Sequence, residues 1–143
     1  MMPTSFLWSR VPQPECPLAE ANRNRVLVVE DDLLVGAVAA EALEEAGFTV
    51  LSAASAEEAN IILAEEVTDV LFTDIDLGGL DGCELAHQAL KVQPGLGVIL
   101  TSGRSRRCHA ERLPPGAGFL AKPYRLPHLV DEVLRAVEAT SSH

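Results

Sequence analysis

Val26-Leu27-Val28-Val29 is apolar at all four positions, with no polar side chain for solvent to face. A strand that meets water on one side alternates apolar and polar residues, so an unbroken valine-rich run marks a strand covered on both faces. Four further segments read as strands: Phe48 to Ser52, Val70 to Thr73, Val98 to Leu100 and Gly118 to Ala121. Between them lie stretches of helical character. Leu33 to Ala46 repeats apolar residues at Val35, Ala39, Ala42, Leu43 and Ala46, and Gly47 suits the position just past a helix end. Ser55-Ala56-Glu57-Glu58 has the form of a capping box, with Ala59, Ile62 and Leu63 continuing inward. Asp81-Gly82-Cys83-Glu84 opens another helix, with Leu85, Ala86, Ala89 and Leu90 as its buried stripe. A fourth helical segment after Thr101-Ser102-Gly103 should be short, because Pro114-Pro115-Gly116 stops it. The last begins near Pro127 and turns Leu129, Val130, Val133, Leu134 and Val137 inward. Parallel strands need crossover connections, normally helical, so five strands alternating with five helical segments predict a doubly wound α/β parallel sheet.

The 143 residues suit one domain, and 48% hydrophobic content supports a core. Residues 1–24 hold Pro3, Pro12, Pro14 and Pro17 without periodicity and are predicted to be a disordered tail in which Trp8 stands alone. The domain is expected over 25–139, with a short tail at 140–143. No apolar run approaches the roughly 20 residues that cross a bilayer, and the first residues lack the pattern of a secretory signal. Cys16, Cys83 and Cys108 are odd in number and without metal-type spacing, which suggests reduced thiols in the cytoplasm. A formal charge of −10 argues against nonspecific nucleic-acid binding. That charge is uneven. Glutamates crowd 41–66, whereas Arg104, Arg106, Arg107 and Arg112 gather in a basic stretch that could dock an acidic partner.

The strand ends carry the chemistry. Glu30 and Asp31 follow the first strand, Asp74 and Asp76 the third, Thr101 the fourth and Lys122 the fifth. In a parallel sheet these ends share one edge, where ligands bind. Converging carboxylates must protonate or recruit a cation, and oxygen-only ligands favour a hard ion such as Mg²⁺. Lysine and hydroxyl beside such a cluster suit a phosphoryl group, and a carboxylate can be the nucleophile of an aspartyl phosphate. Taken singly, Asp31 or Asp32 would be read as a helix cap, Thr101 as a strand residue and Lys122 as a surface charge. Their joint placement reverses that reading.

Val28-Val29-Glu30-Asp31-Asp32, Asp74 with Asp81-Gly82, Thr101-Ser102-Gly103 and Phe119-Leu120-Ala121-Lys122-Pro123-Tyr124 together resemble the response-regulator receiver domain of bacterial two-component signalling, over about residues 25–139. The resemblance implies a flavodoxin-like five-stranded parallel sheet of order 2-1-3-4-5. It implies Asp74 as phosphoacceptor, taking phosphate from a histidine kinase or histidine phosphotransfer protein. Asp31 would be the principal ligand of Mg²⁺ (or Mn²⁺), joined by Glu30, Asp74 and the backbone carbonyl of Asp76. The Asp76 side chain stands where the family tunes loss of the phosphoryl group. Thr101 and Phe119 would be the switch pair, Lys122 would pair with the phosphate, and Lys122-Pro123 would be a cis peptide. Gly78 stands where the family often has proline. Pro114-Pro115 shorten the fourth helical segment within the face, shared with the fifth strand and last helix, that receivers use for dimers and partners.

Length further predicts a stand-alone receiver that is a signalling switch, not an enzyme with a separate substrate. It would act on a downstream protein or within a phosphorelay, without binding DNA or membrane, and could dimerise when phosphorylated. Two other readings use the same residues. Asp74-Ile75-Asp76 also resembles the nucleophile motif of haloacid-dehalogenase phosphatases, but there the nucleophile strand comes first and a further acidic pair follows it. A pseudo-receiver would bind partners without phosphorylation, yet such proteins usually lose the acceptor, the acidic pair or the lysine.

Overall fold

The computed structural model of the protein describes residues 24–141. The predicted tail with Trp8 and Cys16 therefore falls outside the described residues, apart from Asn24, as do the last two residues of the predicted C-terminal tail. Strands β1 (Arg25–Val29), β2 (Thr49–Ala53), β3 (Val70–Asp74), β4 (Gly97–Ser102) and β5 (Gly118–Ala121) form one sheet. Every pairing is parallel, and the order is β2-β1-β3-β4-β5, as expected. Helices α1 (Leu33–Glu45), α2 (Ala56–Glu65), α3 (Gly82–Val92) and α4 (Leu126–Ser141) cover it.

The unbroken apolar strands are explained by two cores. Val26 and Val28 point to the face shared with Phe72, Ile99 and Leu120, where α1 contributes Ala39 and Leu43 and α4 contributes Leu129 and Val133. Leu27 and Val29 point the other way, toward Leu71, Val98 and Leu100, under Ala59 and Leu63 of α2 and Leu85, Ala86 and Ala89 of α3. Successive side chains of a strand face opposite sides, so a central strand needs apolar residues at every position. The edge strands β2 and β5 are only half buried and carry more mixed sequences. Truncating a central leucine such as Leu27, fully buried, would cost about 2–5 kcal/mol.

Local signals set the helix ends. The Asp32 carboxylate accepts from Leu34 N and Val35 N and so caps α1. Ser55 Oγ accepts from Glu58 N, while Glu58 Oε1 accepts from Ala54 N. Asp81 Oδ1 accepts from Glu84 N at the start of α3. Gly47, with φ of 104°, leaves α1 through the left-handed region as expected of that position.

Two expectations change. The short fourth helix is only a 3₁₀ turn, Arg106–His109. Ser105 makes no side-chain cap for it, the prolines at 114 and 115 offer no amide hydrogens, and His109 is its one buried residue. Leu134, expected to face inward, is 44% exposed; α4 itself runs to Ser141.

Candidate functional site

Strand register assembles the site. Asp74 pairs with Thr101 across β3 and β4, and Thr101 pairs with Leu120 across β4 and β5. Val29, just before Glu30, pairs with Thr73, just before Asp74. Lys122 N donates to Ser102 O, which extends the ladder one residue past β5. Each polar residue is therefore brought to one edge by the apolar run preceding it.

Glu30 and Asp74 are buried there, and Asp31 is exposed. Lys122 Nζ donates to Asp74 Oδ2 at 2.8 Å and to Glu30 Oε1 at 3.2 Å. Asp76 N donates to Asp74 Oδ1 at 3.0 Å, so both oxygens of Asp74 are held. Burial pushes the Glu30 carboxyl above its usual value, helped by the charge of Asp74 and opposed by the Asp32 amide and Lys122. Burial works against the Lys122 ammonium, but Asp74 and Glu30 outweigh it and leave that pKa raised.

One carboxylate oxygen from each of Glu30, Asp31 and Asp74 lies within 4.8 Å of the other two. One ammonium cannot balance three such charges, and the donor set is oxygen alone, so the site fits a hard divalent cation. Asp31, at the solvent side, leaves room for the waters that Mg²⁺ retains. The division of labour between neighbours is now clear: Asp32 caps α1, while Asp31 belongs to the cluster.

Thr101 is buried beside Asp74, its Oγ1 donating to Leu120 O at 2.7 Å. Phe119 is half buried against the core, its ring 6.3 Å from that of His109. The Lys122-Pro123 peptide is cis. Tyr124 follows and sets its ring edge-on to Phe72, 5.7 Å away. Arg104, Arg106 and Arg107 are exposed. Arg112 differs from them, because it forms an ion pair with Asp81, the residue that caps α3.

Other features of the site were not read from the sequence. Gly82 lies so close to β3 that an added Cβ would stand 2.1 Å from Asp74 O. Leu33 and Leu34, 76% and 74% exposed, give α1 an apolar rim that continues over Val35, Val38, Tyr124 and Leu126 beside Lys122. Ser102 Oγ donates to Asp76 Oδ2 at 3.3 Å and also meets His109 Nε2 at 3.1 Å. His109 lies in a segment with no periodicity, so no sequence signal pointed to it.

The family model described as response regulator receiver domain matches residues 26–134. The C4-dicarboxylate transport transcriptional regulatory protein DctD of Rhizobium meliloti is 36% identical over 115 residues, covering 79% of this chain and 25% of DctD. The response regulator receiver protein CpdR of Brucella abortus is 33% identical over 111 residues, covering 76% of this chain and 92% of CpdR. The chain spans a quarter of DctD and 12% of the sensor kinase CckA of Brucella abortus, but nearly all of CpdR. Among solved structures, a CheY-like receiver domain protein of Methanospirillum hungatei JF-1 is similar, with TM-score 0.77 and 25% identity. That match covers 85% of this chain and 98% of the other.

Proposed function

The chain belongs to the response regulator receiver family of bacterial two-component signalling, and on that premise we propose that it is a single-domain cytoplasmic switch phosphorylated at Asp74. A carboxylate oxygen of Asp74 attacks the phosphorus of a phosphohistidine on a histidine kinase or histidine phosphotransfer protein. The P–N bond breaks and its electron pair returns to the donor imidazole. Glu30, Asp31, Asp74 and the Asp76 carbonyl would hold Mg²⁺ or Mn²⁺, which when bound supplies positive charge to the phosphoryl oxygens. Lys122, whose ammonium lies on Asp74 Oδ2, would supply positive charge to them as well. The observation that carries this reading is the setting of Asp74: buried, with lysine on one oxygen, a backbone amide on the other and two further carboxylates beside it.

Thr101 can reach a new phosphoryl oxygen only by leaving Leu120 O. Phe119 then moves with its strand, and the change arrives at the face that includes the 3₁₀ turn, β5 and α4. The exposed apolar rim of α1 beside Lys122 supports docking of the phosphodonor there, because a donor histidine must reach Asp74 past it. Arg104, Arg106 and Arg107 would meet an acidic downstream protein, with Arg112 serving mainly to anchor their segment through Asp81. Phosphorylation-dependent dimerisation through the same face, and no direct contact with nucleic acid, complete the reading.

Intact mass after incubation with a small acyl phosphate tests it. One phosphoryl adduct that requires both Mg²⁺ and Asp74 is expected. No adduct on wild-type protein, where another receiver is labelled under the same conditions, refutes it. For the arginine surface, Arg106→Glu with Arg107→Glu should abolish capture of the acidic partner without altering the adduct.

A further inference from the structure

His109 is 4% exposed, and its Nδ1 is buried without a hydrogen-bond partner among the described residues. Its other nitrogen, Nε2, lies 3.1 Å from Ser102 Oγ. That oxygen already accepts from Arg104 N at 3.0 Å and donates its single hydrogen to Asp76 Oδ2 at 3.3 Å. A hydroxyl has one hydrogen and two lone pairs. With the hydrogen committed to a carboxylate that can only accept, Nε2 must be the protonated nitrogen. The opposite tautomer would leave a buried N–H unsatisfied, which costs more than an idle lone pair. The three residues form a chain in which every donor points toward Asp76: His109 Nε2–H to Ser102 Oγ–H to Asp76 Oδ2. Asp76 in turn gives its amide to Asp74.

We propose that His109 is a positioning residue that, through Ser102, fixes the Asp76 carboxylate and thereby sets the lifetime of the phosphoryl group on Asp74. The proposal rests on the reading of Asp74 as acceptor. Asp76 is exposed at the mouth of the site, and with Oδ2 held by Ser102 its Oδ1 can accept from water. In hydrolysis the water oxygen bonds to phosphorus and the P–O bond to Asp74 breaks. Asp74 leaves with that electron pair as carboxylate, and the water proton passes to Asp76 Oδ1 before reaching solvent or the released phosphate. A fixed base is better placed to take it than one free to rotate. His109 also lies against Phe119, so the element that answers phosphorylation abuts the element that times its end.

The test uses the full 143-residue chain. Wild type, His109→Leu and His109→Gln are labelled with acyl phosphate and Mg²⁺, the donor is removed, and loss of the adduct is followed by intact mass. His109→Leu should lengthen the half-life about fivefold, the effect of one lost hydrogen bond. His109→Gln, whose amide can donate from nearly the same place, should stay near wild type. In an Asp76→Ala background His109→Leu should add nothing. Ser102→Ala makes the same test should His109→Leu fail to fold. Histidine ¹⁵N NMR on the metal-free chain should show His109 protonated at Nε2 and bare at Nδ1. An unchanged half-life in labelled His109→Leu, the same lengthening without the Asp76 side chain, or the opposite tautomer overturns the proposal. If wild type takes no adduct at all, the reading of Asp74 fails first and the proposal falls with it.

Discussion

Replacing Gly82 with alanine should damage both stability and labelling, because the methyl group has nowhere to go. Its Cβ would stand 2.1 Å from Asp74 O, 2.8 Å from Ile75 Cα and 2.9 Å from Asp74 C. All three are backbone atoms, so no side chain can rotate aside. Ordinary contact requires α3 and the end of β3 to part by about 1 Å. That movement also stretches the 2.9 Å hydrogen bond from Gly82 N to Ile75 O. Overpacking costs about 1–3 kcal/mol and the bond about 1 kcal/mol, against a helix-propensity gain of at most about 1 kcal/mol. The net loss is about 1–3 kcal/mol, or roughly 4–12 °C in Tm for a domain of this size. The acceptor sits on the strand being pushed, and a misplacement of about 1 Å can cost about 100-fold in rate. Urea and thermal melts by circular dichroism would give the first quantity, and the initial rate of acyl-phosphate labelling the second. A Gly82→Ala protein within about 0.5 kcal/mol of wild type, labelled at the same rate, would refute the argument. The helix would then be shown to move freely relative to the strand.

Other outcomes follow from the charges and thiols. Glu30 has a raised folded pKa, so its contribution to stability is fully present below its ordinary value of 4.5 and lost as pH rises through the folded value. Glu30→Gln should therefore stabilise the metal-free protein at pH 7, seen as a higher Tm in chelator, while weakening Mg²⁺ binding roughly tenfold by titration. Lys122 is raised too, so its stabilisation is fully present below 10.5 and lost as pH climbs through its folded value. Lys122→Met should be less stable than wild type in urea melts, by a margin constant from pH 8 to about pH 10 that narrows beyond. A margin independent of pH up to 12 would contradict that assignment. With maleimide and peptide mapping, exposed Cys108 should react in the native protein. Cys83, its thiol pushed up by burial and by the charge of Asp76, should react only on unfolding.

The sheet and the cluster were legible because each is written in neighbouring residues. Val26 to Val29 records burial on both faces, and a polar residue after each apolar run records the sheet edge on which it emerges. Asp32, Ser55 and Asp81 mark helix starts through bonds spanning two or three residues, which a short window contains. The features that escaped depend on distant contacts. Nothing near His109 tells that it meets Ser102, and nothing near Gly82 tells how close β3 passes. Arg112 looked like one more charge in a basic stretch until the fold brought it to Asp81. Leu134 fitted a helical stripe broader than the face that α4 buries. In each case the deciding partner lies on another element.

The 3₁₀ turn between β4 and β5 bears on how this chain could be altered. It replaces the fourth helical crossover over the stretch from Ser102 to Gly118, and His109 is the one buried residue of the turn itself. Lengthening an irregular connection is inexpensive, about 0.6 kcal/mol for each doubling of its length. The exposed residues around Glu111 therefore form a natural place to graft a peptide tag or a fluorescent reporter, provided that the Arg112 pair and His109 are left in place. An insertion directly beside Gly82 would have no such latitude, since Gly82 N is held by Ile75 O and a Cβ there would already meet the Asp74 backbone.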